Sequence, residues 1–244
     1  MKDMIKRVVH LLEIPFVNTT HEQFVDELKR RLEQKEKTFV VTANPEILMK
    51  TKEDNEFQHV VKRADYVTPD GIGVVLLSKL KRRPLKERIT GFDLTVDLLQ
   101  YADDENLSVY LLGAKESVNK EAAKQIQSTY PNLNIVGRHH GYIDIDDEKI
   151  HDEIYEQSPD IVFVALGAPK QELFIDRHIK NAQKGLFIGV GGSLDVHAKA
   201  VKRAPDIWIK LNLEWLYRMI KQPERIKRNI KVFSFMIKTL LKND

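Results

Sequence analysis

The chain has 244 residues, 42% of them hydrophobic, with 39 Lys and Arg against 36 Asp and Glu and no cysteine. That length buries one substantial core with room for an appendage, and the absence of thiols excludes a disulfide framework or a thiolate zinc site. The net charge of +3 is unevenly spread: residues 199–244 carry 12 basic against 4 acidic side chains, a local +8, while the remainder carries 27 against 32.

In chain order, Met1 to Glu13 carries Lys2, Asp3, Lys6 and Arg7 and lacks the apolar core of a signal peptide, so the cytoplasm is the expected compartment. Thr19, with Glu22 three residues on, reads as a capping box opening a helix. Thr38 to Thr42 is a short β-branched run that reads as a strand. It leads into Thr42-Ala43-Asn44-Pro45-Glu46, where Pro45 suits the first position of a helix. Asn44 or Thr42 either caps that helix or offers a ligand an amide and a hydroxyl. Asp65 precedes a further strand that ends in Val67-Thr68-Pro69-Asp70-Gly71-Ile72-Gly73, ahead of the apolar helix Val74 to Leu80. Asp70 is there either a turn residue or an acid presented at a strand end. Asp93, after Gly91, reads as a helix cap.

Leu107 to Gly113, Asp160 to Leu166 and Leu186 to Val190 are three more short apolar runs. With the amphipathic stretches between them they predict an α/β fold: a Rossmann-like, mainly parallel sheet flanked by helices. Asp144-Ile145-Asp146 has the two-acid form of a divalent-ion site, but it lies in an acidic run with Asp147 and Glu148 before a helix, where capping accounts for it. His139-His140 and His197 show no ligand spacing, and no metal is expected. Ala165-Leu166-Gly167-Ala168-Pro169-Lys170-Gln171-Glu172 sets a glycine turn before a helix that Pro169 opens. The free N–H groups there, with Lys170 and Gln171, suit a phosphate or a sugar. Gly189-Val190-Gly191-Gly192-Ser193-Leu194-Asp195 permits close backbone approach, and Asp195 can accept hydrogen bonds from a base or ribose. This loop comes late in the chain and is not Gly-x-Gly-x-x-Gly, so no nicotinamide cofactor is expected.

The composition shifts near Lys199 to Pro205, which divides the chain into an α/β domain, residues 1–198, and a helical appendage, residues 199–244. In the appendage Ile226, Ile230, Phe233, Ile237 and Leu241 recur at helical spacing with Lys227, Arg228, Lys231 and Lys238 between them, a basic amphipathic helix. Such a stripe fits packing on the domain or lying in a membrane interface. The longest uncharged run in the appendage, Val232 to Ile237, is six residues long, and no stretch of the chain approaches the roughly 20 apolar residues that span a bilayer. Arg218, Arg225 and Arg228 fall at helical spacing around Pro223, and guanidinium forks suit phosphate oxygens. The competing reading, a nucleic-acid or phospholipid binding module, rests on this basic tail with Trp208, Trp215, Phe233 and Phe235 and leaves the four strand-end loops unexplained.

Those loops, read together, resemble the WecG/TagA/CpsF glycosyltransferases. The resemblance runs nearly end to end: Thr42-x-Asn44-Pro45-Glu46, Ala64-Asp65, Pro69-Asp70-Gly71-x-Gly73, Arg88-x-x-Gly91-x-Asp93-Leu94, Tyr110-Leu111-Leu112-Gly113, Tyr130-Pro131 and Gly141-Tyr142. It continues through Leu166-Gly167-x-Pro169-Lys170-Gln171-Glu172, Gly189-Val190-Gly191-Gly192, Lys202-Arg203-Ala204-Pro205 and Leu213-Glu214-Trp215-Leu216-Tyr217-Arg218. The chain departs from the family pattern at Leu194, where phenylalanine is usual, and at Ala165 and Leu173, where glycine and tryptophan are frequent.

The resemblance implies an inverting, metal-independent transferase without a cofactor. In the teichoic acid branch it moves N-acetylmannosamine from its UDP form to undecaprenyl-diphosphate N-acetylglucosamine through a β-1,4 linkage. Relatives that use other UDP sugars leave the donor open. Asp70 would be the general base, Thr42, Asn44 and Gln171 would position sugars and diphosphate, and Gly191 and Gly192 with Asp195 would seat the uridine. Arg218, Arg225 and Arg228 would meet the charge on the leaving diphosphate. The expected partners are thus the UDP sugar, the polyprenyl-diphosphate acceptor and an anionic membrane surface reached peripherally through the appendage, with no nucleic acid. The sequence leaves self-association as a homo-oligomer open.

Overall fold

The computed structural model describes residues 7–221 and 226–241. The first half of the chain forms β1 (Val8–Leu11), β2 (Ile14–Val17), α1 (His21–Glu33), β3 (Thr38–Ala43), α2 (Pro45–Glu53), α3 (Asn55–Arg63), β4 (Tyr66–Pro69), α4 (Ile72–Leu80) and α5 (Gly91–Asp104). There follow β5 (Ser108–Gly113), α6 (Glu116–Thr129), β6 (Asn134–His139), α7 (Glu148–Gln157), β7 (Ile161–Ala165), α8 (Lys170–His178), β8 (Leu186–Gly189) and α9 (Ser193–His197). The tail forms α10 (Asp206–Lys210), α11 (Glu214–Lys221) and α12 (Ile226–Leu241).

The described residues make one eight-stranded sheet in the order β1-β2-β4-β3-β8-β7-β5-β6. Only the β1–β2 pairing is antiparallel. The four runs predicted as strands are β3, β5, β7 and β8, the centre of the sheet, and β3, β7 and β8 are buried at every position. Strands covered on both faces read as unbroken apolar runs, which is why these were visible. Their side chains alternate between two cores. Phe39, Val41, Val162 and Val164 face one, under α2, α3 and α8, and Val40, Ile161 and Phe163 face the other, under α1, α5 and α6. Each fully buried Leu, Ile or Phe in these layers contributes about 1.5–3 kcal/mol relative to exposure.

Helix starts follow the sequence with small shifts. Pro45 occupies the first position of α2, with Asn44 as the cap. Thr20, not Thr19, caps α1, accepting from Gln23 N at 3.3 Å, while Thr19 donates to the Gln23 side chain. Pro169 takes the cap position of α8 and not its first turn, and its peptide bond to Ala168 is cis. Asp93 does not cap α5. Thr90 does, and Asp93 stands at the third helical position, exchanging hydrogen bonds with Thr90 as in a capping box.

The tail shows why the amphipathic stripe had two readings. α12 lies across α2 and α4, held by Phe235, Met236 and Leu240 against the core and by buried Thr239. The predicted stripe is on the opposite face: Ile226, Ile230, Phe233, Ile237 and Leu241 are all exposed, Leu241 by 78%. The helix is apolar on both sides, so docking on the domain leaves much of the outer stripe uncovered, although Phe233 meets the Trp215 ring of α11 edge-on at 5.2 Å.

Candidate active site

The four polar loops follow β4, β3, β8 and β7, which are consecutive in the sheet. At about 4.8 Å per strand the loops span roughly 14 Å of one carboxyl edge, the scale of a nucleotide sugar. Asp70 sits at the β4 end, its N–H donating to Ala43 O at 3.0 Å, which ties the loop to the end of β3. Gly71 follows with φ +91°, a conformation open to glycine and strained for other residues. That turn delivers the chain into α4, whose first residues carry no side-chain cap.

Asn44 accepts from Glu46 N at 2.9 Å and Ile47 N at 3.0 Å through Oδ1. With the oxygen engaged in capping, its amide N–H donors are what it can offer a ligand. Thr42 is buried and donates to Gly189 O at 2.7 Å, so its hydroxyl joins the β3 loop to the β8 loop from beneath the edge.

Gln171 is buried as well. Its Oε1 accepts from Gly191 N at 3.2 Å and its Nε2 donates to Glu172 Oε1 at 2.7 Å. A Cβ at Gly189 would lie 2.6 Å from Gln171 Nε2, so only glycine admits this clasp between the β7 and β8 loops. Glu172 is fully buried, and among the described residues its Oε2 has no hydrogen-bond partner. Burial pushes its carboxyl up to about 7, against the lowering pull of Gln171 and Lys50. Lys50 also donates to Ala168 O, holding the β7 loop over α2. Gly191 and Gly192 lead into α9, where no hydrogen bond engages the Asp195 carboxylate among the described residues.

A second layer of contacts joins the tail to this edge. Ile89 N donates to Pro69 O at 3.0 Å, which lays the segment carrying Arg88 beside the β4 end. Arg88 stands 3.8 Å from Glu214 of α11. Arg203 pairs with Asp93 and lies 4.3 Å over the Phe92 ring. Burial alone would raise the Asp93 carboxyl, but Thr90, Arg203 and Arg88 hold it below the usual carboxylate range. His197 stacks on Phe92, and its burial lowers its basicity.

Arg225 lies outside the described residues, as do the side chains of Arg218 and Arg228, whose backbones belong to α11 and α12. Among the described residues no cluster of three potential metal ligands occurs. Asp144 accepts from Asp146 N and Asp147 caps α7, as turn and cap chemistry predicts for that acidic run. No described helix is long and apolar enough to cross a membrane. Sequence reasoning quoted Glu172 and Arg88 within motifs but gave neither a role.

An open, mainly parallel sheet with polar loops at its strand ends is the α/β architecture that binds ligands at the carboxyl edge. The chain belongs to the glycosyl transferase WecG/TagA/CpsF family, whose sequence profile matches residues 9–243. It is 40% identical over 232 residues to the N-acetylglucosaminyldiphosphoundecaprenol N-acetyl-beta-D-mannosaminyltransferase of Bacillus subtilis strain 168, covering 95% of this chain and 90% of that one. Enzymes of the same name from Bacillus spizizenii and Staphylococcus aureus strain MRSA252 are 38% and 39% identical, over 93% and 94% of this chain.

Proposed function

We propose that this chain transfers N-acetylmannosamine from its UDP form to undecaprenyl-diphosphate N-acetylglucosamine, with inversion, in teichoic acid linkage-unit synthesis. The observation that carries the reading is the single polar edge on which Asp70, Asn44 and the glycine loop stand on adjacent strands. The names of the relatives supply the sugar and the acceptor.

Asp70 takes the proton from the attacking hydroxyl of the acceptor sugar. The new bond forms at the anomeric carbon as the bond to the UDP oxygen breaks on the opposite face, so one base suffices for inversion. Asn44 donates to donor oxygens from the N-cap of α2. Thr42 and Gln171 act one step back, holding the β8 loop where Gly191, Gly192 and Asp195 seat the nucleoside. Arg218, Arg225 and Arg228 answer the charge on the departing diphosphate.

Residues 199–244 are the membrane-facing appendage. The outer stripe of α12, with exposed Lys231 and Lys238, rests on the anionic inner face of the cell membrane. The deciding experiment compares UDP release by wild type and Asp70→Asn on a soluble lipid-diphosphate N-acetylglucosamine, with EDTA and with magnesium. Loss of 10²–10⁴-fold in kcat with donor KM held within about threefold is expected. Undiminished turnover by the variant removes Asp70 from the mechanism, and no turnover by folded wild type in either condition removes the substrate assignment.

A further inference from the structure

Beside Asp70 the molecule has a cavity of about 520 Å3 that the reaction scheme above does not use. Five parts of the chain build it: His21 at the start of α1, one face of α4 through Ile72, Val75 and Lys79, the segment Lys86 to Arg88, Asp93 of α5, and Asn212 between α10 and α11. The cavity starts where α4 starts, two residues after Asp70, and runs along the helix to Lys79, roughly 10 Å at 1.5 Å per residue. One pyranose carrying a diphosphate has about that length.

Its charge balance is positive. The two acids at the cavity are already engaged: Asp93 by Arg203 and Thr90, and Glu87 by His21 N at 3.1 Å. Lys79 and Lys86 are exposed and form no ion pair among the described residues. Arg88, only loosely paired with Glu214 at 3.8 Å, adds a guanidinium. The rim is apolar. Leu76 and Leu80, on the neighbouring stripe of α4, are 49% and 64% exposed, and Leu211 beside Asn212 is 62% exposed. A compact cationic recess with an apolar lip fits an anion attached to a hydrocarbon.

We propose that this cavity seats the diphosphate of the lipid-linked acceptor, with Lys79 and Lys86 as its cations and the lip of Leu76 and Leu80 as the exit of the prenyl chain toward the bilayer. The inference rests on the acceptor assignment made above. It places the acceptor diphosphate along α4, apart from the donor diphosphate assigned above to Arg218, Arg225 and Arg228, so the two anions have separate cations.

The test uses full-length wild type, Lys79→Glu, Lys86→Glu and the double variant in neutral detergent, with farnesyl-diphosphate N-acetylglucosamine as acceptor. Both lysines are exposed, so the variants are expected to melt with wild type; Lys79→Gln and Lys86→Gln stand in if the reversals do not fold. Acceptor KM is expected to rise at least tenfold in the double variant while donor KM stays within twofold. An alkyl glycoside of N-acetylglucosamine, lacking the diphosphate, should not distinguish variant from wild type. Unchanged acceptor KM, or a rise in donor KM instead, overturns the proposal. So does a defect that appears only on phosphatidylglycerol vesicles, which would make the lysines headgroup contacts. Calorimetric binding of the farnesyl compound separates the two readings. Binding by wild type without turnover, lost in the double variant, keeps the diphosphate seat and rejects the sugar-transfer assignment. Turnover that is indifferent to both lysines does the reverse, and wild type that neither binds nor turns over rejects both.

Discussion

Replacing Ile230 and Ile237 together by serine isolates the outer face of α12. Both side chains point away from the domain, exposed by 61% and 57%, so neither takes part in the inner contacts of Phe235, Met236 and Leu240. Full burial of an isoleucine side chain is worth about 2.5 kcal/mol. The exposed fraction of each therefore stands to gain about 1.5 kcal/mol in an interface, and the pair about 3 kcal/mol, or roughly 100-fold in vesicle affinity. Surface substitutions of this kind change folding stability by only about 0.5 kcal/mol each. The assay is co-sedimentation with phosphatidylglycerol-containing vesicles at fixed ionic strength, with thermal melts as the control. Affinity within threefold of wild type, at unchanged stability, would refute a membrane role for this stripe.

The clasp between the β7 and β8 loops predicts that Gln171→Ala frees Gly191 N–H and strands the Glu172 carboxyl. A loss of about 2 kcal/mol in stability is expected, with a donor KM several-fold higher and acceptor KM unchanged, read by denaturant titration and steady-state kinetics. Two buried groups give opposite pH dependences. His178, stacked among Tyr155, Phe174 and Phe187 beside His151, is lowered to about 3 by burial and by His151. The unfolded chain takes up that proton near 6.5, so this group costs about 2 kcal/mol between pH 7 and 5. Glu172, pushed up to about 7, keeps its proton where the unfolded chain has lost it, and so returns about 2 kcal/mol over the same interval. His178→Phe should therefore gain stability relative to wild type on acidification to pH 5, and Glu172→Gln should lose it. Parallel stability profiles for all three proteins would show that neither group titrates as its burial requires.

The central strands were legible because burial on both faces leaves β3, β5, β7 and β8 as short apolar runs. The edges were not. β1 and β2 have four residues each and are joined by Leu12 and Glu13, both at positive φ, so the tight turn lacks the Gly or Asn that signals one. β6 is half-exposed along its length, contains Gly137, and shifts register against β5 between Val109 and Tyr110, which erases its periodicity. The four candidate loops were readable one at a time, but strand order alone makes them neighbours, and sequence order does not give it. Thr42 and Gln171 were read as residues that face the ligand. Their burial under the edge became visible only once β3, β7 and β8 lay side by side. The cavity along α4 was beyond reach, since residues 72–79, 86–88 and 212 share no local pattern.

The two-sided character of α12 sets a height. Its inner face rests on α2 and α4, and its outer apolar stripe is turned away from them. If that outer face meets the bilayer as proposed, one helix diameter, about 10 Å, separates the lipid surface from α2 and α4. An acceptor diphosphate seated along α4 would then stand about that far from the lipid surface, with the prenyl chain bridging the gap. On that reading α12 would act as a spacer between the bilayer and the proposed acceptor seat.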